Sequence, residues 1–281
     1  MLKLPAVLLS LLLLLSGLRF ASAGEIQAHD FAAPSLGRTI PVYVYLPDDY
    51  AQSGQTYPVL YLLHGYGGSE RDWAERGALL RVVDDLILRG AMPAAVIVMP
   101  AGGVSWYVDA MENALIHDLL PAAEARFRLR PERQARLIGG LSMGGFGALR
   151  LALKYPDLFG AAALFSPAIY DPAPPANSSA RKPGVFAPAG GADFDAKMWQ
   201  KQNYPPLLAD FLKTGRRLPV FIASGDDDEY QIEFQAALLY SRLRQAGQPA
   251  ELRILNGRHA WPVWEAALPE ALSYIFKAAG E

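Results

Sequence analysis

Five short, almost uninterrupted apolar runs, at residues 58–63, 94–99, 135–141, 161–165 and 219–223, constrain what this chain can fold into more than any other feature. Runs of that length, rich in aliphatic residues and lacking alternation, suit strands covered on both faces, the condition of a parallel sheet wrapped in helices. Helical patterns fall between and around them, at 70–89, 110–127, 143–155, 229–246 and 261–278. Strand and helix in alternation predict an α/β fold with a doubly wound, mostly parallel central sheet and helices on both faces. Two further segments, 38–46 and 250–255, alternate as half-exposed strands do. Sheets of this kind carry their chemistry beyond the carboxyl ends of the strands, so the loops that follow strands are the places to search. One connection is too long for a plain turn: 167–217 opens with a Pro/Ala/Gly-rich stretch and carries a short helical pattern near Trp199. It is expected to be a lid-like insertion on the edge of the site.

Lys3, a Leu-rich run over residues 4–18 and then Ala21-Ser22-Ala23 have the layout of a secretory signal peptide cleaved after Ala23. The run is short for a membrane anchor and is broken by Ser16, Gly17 and Arg19, so no stable anchor is expected once residues 1–23 are removed. Residues 24–281 then form a single catalytic domain of an exported protein, periplasmic or secreted. The absence of cysteine excludes disulfides, thiolate metal sites, iron–sulfur clusters and a cysteine nucleophile. With 26 Lys and Arg against 28 Asp and Glu, and no basic cluster, nucleic acid is not an expected partner. The four histidines, His29, His64, His117 and His259, stand at no short ligand spacing, so neither a metal nor a cofactor is expected. Nothing in the sequence sets an oligomeric state.

Gly140-Leu141-Ser142-Met143-Gly144 fits G-x-S-x-G and lies directly between an apolar strand and a helix, where that motif has meaning. The turn is so tight that side chains two residues before or after the serine would clash, and it lifts the serine oxygen clear of the sheet. It also aims the first helical amides at the reacting carbon, so the Met143 N–H is a candidate oxyanion donor. A serine hydroxyl needs a base, and a base needs a carboxylate to orient it. In the hydrolase order Ser, acid, His, only His259 follows Ser142 and can be the base; it comes just after the last strand. The acid belongs after the strand at 219–223, where Asp226, Asp227, Asp228 and Glu229 all compete; spacing mildly favours a later one. A second oxyanion donor belongs in His64-Gly65-Tyr66-Gly67-Gly68, which follows an early strand, and falls to the Tyr66 N–H ahead of Gly65. His64 reads as an orienting or packing residue. Trp106, Tyr107, Trp199, Tyr204 and Trp261 are candidates for an apolar pocket.

These residues resemble the esterase family of α/β-hydrolases that includes esterase D (S-formylglutathione hydrolase), feruloyl esterase domains and mycolyltransferases. The resemblance runs from about Arg38 to Phe276, on YPVLYLLHGYGG, VIVMP with Trp106-Tyr107, GLSMGGFGAL, ALFSPA, SGDDDEY and GRHAWPVW. It implies the α/β-hydrolase fold and a catalytic Asp after a glycine and two variable residues, which is Asp228. It places the base at His259 in Gly-x-His-x-Trp, and agrees with Tyr66 and Met143 as donors. Ala101 departs from the Asp that many members carry before Gly102. The implied activity is that of a serine carboxylic ester hydrolase acting on small or aromatic acyl esters through an acyl-enzyme. The alternatives are a mycolyl-type acyltransferase, a siderophore esterase, a thioesterase, or a binding protein with a vestigial site.

Overall fold

The computed structural model of the protein describes residues 23–188 and 191–280. The expected signal peptide lies outside the described residues except for Ala23. Among the described residues no helix is long and apolar enough to cross a membrane.

Eight strands make one sheet: β1 (Glu25–Ala33), β2 (Arg38–Leu46), β3 (Val59–Leu63), β4 (Val96–Pro100), β5 (Arg136–Leu141), β6 (Ala162–Phe165), β7 (Val220–Gly225) and β8 (Ala250–Leu255). Their order is β1-β2-β4-β3-β5-β6-β7-β8. The first two steps across the sheet are antiparallel and every later pair is parallel. Successive side chains of the apolar strands enter opposite cores. In β3, Val59, Tyr61 and Leu63 join one layer and Leu60 and Leu62 the other; β7 divides Val220 and Ile222 from Phe221 and Ala223 in the same way. Both faces need apolar residues, which is why these strands read as continuous runs. Each fully buried side chain of this size contributes about 1.5–3 kcal/mol.

The helices are α1 (Tyr50–Ser53), α2 (Asp72–Glu75), α3 (Leu79–Leu88), α4 (Asp109–Asn113), α5 (Leu120–Arg126), α6 (Met143–Lys154), α7 (Ala196–Gln202), α8 (Tyr204–Lys213), α9 (Ile232–Gln245) and α10 (Trp261–Ala278). α3 and α10 cover one face, while α6, α8 and α9 lie on the other. The pattern at 110–127 forms one helical path, α4 and α5 joined by a π-helical stretch, Ala114–Leu119.

Two features differ from expectation. β1 had no apolar signature because it is an edge strand with one neighbour, and only Phe31 and Ala33 of its residues are buried. The helix expected over 70–89 breaks into α2 and α3 around Gly77 and Ala78, with Ala78 at φ 50°. A Cβ on Gly77 would stand 2.8 Å from both the Trp73 carbonyl oxygen and the Trp261 ring, so the break admits Trp261. The insertion borders the site as expected, and it also sends Ile169, Phe186, Trp199, Tyr204 and Phe211 into the core.

A buried polar junction fastens the insertion to the helix after Ser142. Arg150 of α6 pairs with Glu112 of α4, and its Nη2 donates to the Gln202 Oε1 of α7 at 2.5 Å. Glu112 also pairs with Lys154 at 2.5 Å and accepts the Tyr155 hydroxyl at 2.6 Å. Burial opposes ionisation of Glu112, but the hydrogen bonds from Lys154, Tyr155 and Arg150 and the Arg150 charge outweigh it and hold the carboxyl below its usual value.

Candidate active site

β5 ends at Leu141 and α6 begins at Met143, so Ser142 alone makes the strand-to-helix turn, at φ 54° and ψ −116°. A non-glycine residue held there costs roughly 1–3 kcal/mol and persists only where its surroundings fix it. They do: the Ser142 N–H donates to the Phe165 carbonyl at 2.8 Å, and its own carbonyl accepts from Phe146 at 3.0 Å and Ala168 at 3.1 Å. A Cβ on Gly140 would meet the Gly144 carbonyl at 2.5 Å, and one on Gly144 would meet the Leu63 carbonyl oxygen at 2.5 Å. Those contacts are the physical content of the glycines on either side of the serine.

The loops after β7 and β8 bring a carboxylate and a histidine to the serine. The His259 Nε2 lies 2.9 Å from the Ser142 Oγ, and its Nδ1 lies 2.7 Å from the Asp228 Oδ2. With Nδ1 protonated toward the carboxylate, Nε2 is left to accept the serine proton. Asp228 is buried and its second oxygen accepts the Tyr230 N–H at 2.9 Å. Asp226 and Asp227 are exposed; Asp226 accepts the Gly257 N–H at 2.9 Å and so braces the histidine loop. Glu229, the last competitor, accepts the His259 N–H at 3.1 Å. Its carboxyl is held below its usual value, first by its own backbone N–H and also by the His259 amide and Arg258. The two loops touch at Gly225, where a Cβ would run into the Gly257 carbonyl. Tyr230 and Trp264 grip the imidazole edge-on from either side, at ring separations of 5.0 and 5.1 Å.

On the other side of Ser142 lies the turn after β3. A Cβ on Gly65 would meet the Leu141 side chain at 2.6 Å and the Ser142 Cβ at 3.5 Å, so this turn lies directly on the serine. His64 pins it: Nδ1 donates to the Gly65 carbonyl and Nε2 accepts the Gly102 N–H, both at 2.7 Å. Burial holds the His64 pKa below its ordinary value, and a neutral ring is the form that fits one donor and one acceptor. Gly68 donates to Gly65 and Gly67 to Gly103, while nothing among the described residues accepts from the Tyr66 amide. Met143 is the first residue of α6, so its amide lacks an intrahelical acceptor. Met143 directly follows Ser142 in the chain, and Tyr66 lines the same cleft as Ser142.

A cleft of about 570 Å³ opens over Ser142 and His259. Trp106 and Trp261 line it as expected, Trp106 with only 1% of its surface exposed. Tyr107, Trp199 and Tyr204 do not, because each anchors the core. The Tyr107 hydroxyl donates to the His64 carbonyl at 3.1 Å, and burial pushes that hydroxyl far above its usual pKa. Trp199 stacks on Phe146 and donates to the Tyr170 carbonyl at 2.8 Å. The Tyr204 hydroxyl accepts from Arg242 at 2.8 Å. Sequence reasoning did not pick out Arg76 as a lining residue or Tyr230 as the partner of His259.

The strand order, the strand-to-helix serine and the placement of acid and histidine after β7 and β8 define the α/β-hydrolase fold. Residues 33–275 match the model of the Putative esterase family, and the chain belongs to that family. It is 32% identical over 275 residues to an esterase of Mycobacterium tuberculosis, covering 87% of this chain and 59% of that protein's length. An acetyl esterase of Caldicellulosiruptor saccharolyticus is 28% identical, with 78% of this chain and 83% of that one covered. Among solved structures, a ferulic acid esterase superposes with a TM-score of 0.79 at 26% identity, over 92% of this chain and 99% of that one.

Proposed function

We propose that the protein is a serine carboxylic ester hydrolase acting on small or aromatic acyl esters. The observation that carries this reading is the hydrogen-bonded series Ser142, His259, Asp228, with separations of 2.9 and 2.7 Å, whose serine and histidine line the cleft. In the reaction, the Ser142 Oγ attacks the ester carbonyl as the His259 Nε2 takes its proton. Asp228 holds the imidazole in the correct tautomer and stabilises the imidazolium that forms. The Met143 and Tyr66 amides receive the developing oxyanion, a contribution of about 10²–10³ in turnover for each donor. His259 returns the proton to the leaving alcohol, and water, activated by the same histidine, clears the acyl group from Ser142. Trp106 and Trp261 limit the apolar space beside the serine, and kinship with an acetyl esterase and a ferulic acid esterase supports a small or aromatic acyl group.

The test is a panel of nitrophenyl esters of rising chain length together with methyl ferulate, run beside Ser142→Ala. The reading predicts turnover on short-chain or aromatic esters that disappears with Ser142. Turnover that survives in Ser142→Ala would contradict it.

A further inference from the structure

Two cations on the cleft wall have no part in the hydrolysis described above. Arg76, just after α2, stands over the Trp261 ring with its guanidinium carbon 5.2 Å from the centroid, and the Lys182 ammonium stands 4.9 Å from the centroid of Tyr66. All four residues line the cleft that contains Ser142. Stacking on an aromatic face orients a cation and leaves its N–H groups available. Several surface cations are taken up by carboxylates, as Arg81 is by Glu265 and Arg253 by Glu270. Neither Arg76 nor Lys182 has a side-chain hydrogen bond or ion pair among the described residues.

The charge around them is unbalanced. The carboxylate on the cleft lining is Asp72, which accepts the Ser69 hydroxyl at 3.2 Å, so two basic side chains line the cleft against one acidic one. The other basic residues of the insertion are directed elsewhere. Arg181 donates to the Pro174 carbonyl at 2.8 Å and covers Phe194, while Lys197 and Lys201 are exposed away from the cleft lining. Two cations without a carboxylate partner, on the lining of the cleft that holds Ser142, favour an anionic group bound there.

We infer that the preferred substrates are esters bearing a carboxylate, engaged by Arg76 and Lys182 while the ester carbonyl lies over Ser142. This rests on Ser142 being the nucleophile. The carboxylate can belong to the alcohol or to the acyl part, and matched pairs separate the two: 4-acetoxybenzoate against its methyl ester, and monomethyl against dimethyl glutarate. The quantity read is the ratio of kcat/KM for the anionic member to that for the neutral member. In at least one pair that ratio falls about two- to fivefold in Arg76→Gln and again in Lys182→Gln, the range expected of exposed charge pairs. It falls in the wild type when salt is raised from 20 to 500 mM, and Lys197→Gln leaves it unchanged. Ratios that stay constant in both variants, for both pairs, would overturn the inference. Calorimetric titration of Ser142→Ala with the same four esters reads binding without turnover. No hydrolysis of any of the four esters by the wild type would remove the hydrolase reading on which the inference rests; hydrolysis with equal binding of both members of each pair would remove the inference alone.

Discussion

Asp226, Asp227 and Asp228 are the same side chain in three consecutive positions, and the backbone alone gives them different work. Only Asp228 is buried and points its Oδ2 at the His259 Nδ1, whereas Asp226 caps the Gly257 amide. Replacing Asp228 by Asn keeps the shape but favours the wrong imidazole tautomer, so kcat is expected to fall by roughly 10⁴. Asp226→Asn weakens one hydrogen bond, about 0.5–1.5 kcal/mol of stability, and leaves kcat within a few-fold. Kinetics and urea melts on the two variants, side by side, separate the roles; equal losses of kcat would reassign the acid. His64 yields a pH prediction. Its folded-state pKa lies below the unfolded value near 6.5, so the unfolded chain binds the extra proton first. Its contribution to stability is present above about pH 6.5 and is lost as pH falls from there through the folded-state value. The urea midpoint should therefore drop between pH 7.5 and 5.5 by more in the wild type than in His64→Gln, and equal drops would show that His64 is not a proton-linked group.

The elements that could be read ahead of the structure were those whose surroundings are uniform. β3 to β7 announce themselves because both faces are apolar, and the Ser142 turn because only glycine fits beside it. β1 and the break at Gly77 were hidden because an edge strand and a close ring contact leave no periodic trace in the chain. The aromatic pocket candidates were legible as large apolar residues, but sequence does not distinguish a ring that lines a cleft from one that fills the core behind it. Trp261 does the first and Trp199 the second. Choosing among the carboxylates after β7 needed the family pattern, because their separation is only one residue each and burial is a property of the folded loop. The polar junction between α4, α6 and α7 was likewise invisible, since Glu112, Arg150 and Gln202 meet only in the fold. Glu112→Leu leaves Arg150 buried without its carboxylate and is expected to cost about 3–5 kcal/mol in denaturant unfolding. The double variant Glu112→Leu with Arg150→Met should cost less than that single change; a loss equal to the sum of the two singles would show that the pair is not coupled.

Across the whole molecule, residues far apart in the chain converge because consecutive parallel strands deliver their following loops to one edge of the sheet. Tyr66 arrives after β3, Ser142 after β5, Asp228 after β7 and His259 after β8. The insertion adds Lys182 to the same edge, and its Gln202 accepts a hydrogen bond from Arg150 of the helix behind Ser142. The family model covers 33–275, a span that takes in β2 to β8 whole. The claim on which everything else depends is that this convergence makes Ser142 a nucleophile activated by His259. The most direct measurement is intact-protein mass spectrometry after brief exposure to diethyl 4-nitrophenyl phosphate, which phosphorylates activated serines. The account predicts stoichiometric single labelling of the wild type, mapped by peptide analysis to Ser142, none in Ser142→Ala, and labelling slowed by orders of magnitude in His259→Ala. Labelling of a different residue, or equal rates with and without the histidine, would contradict it.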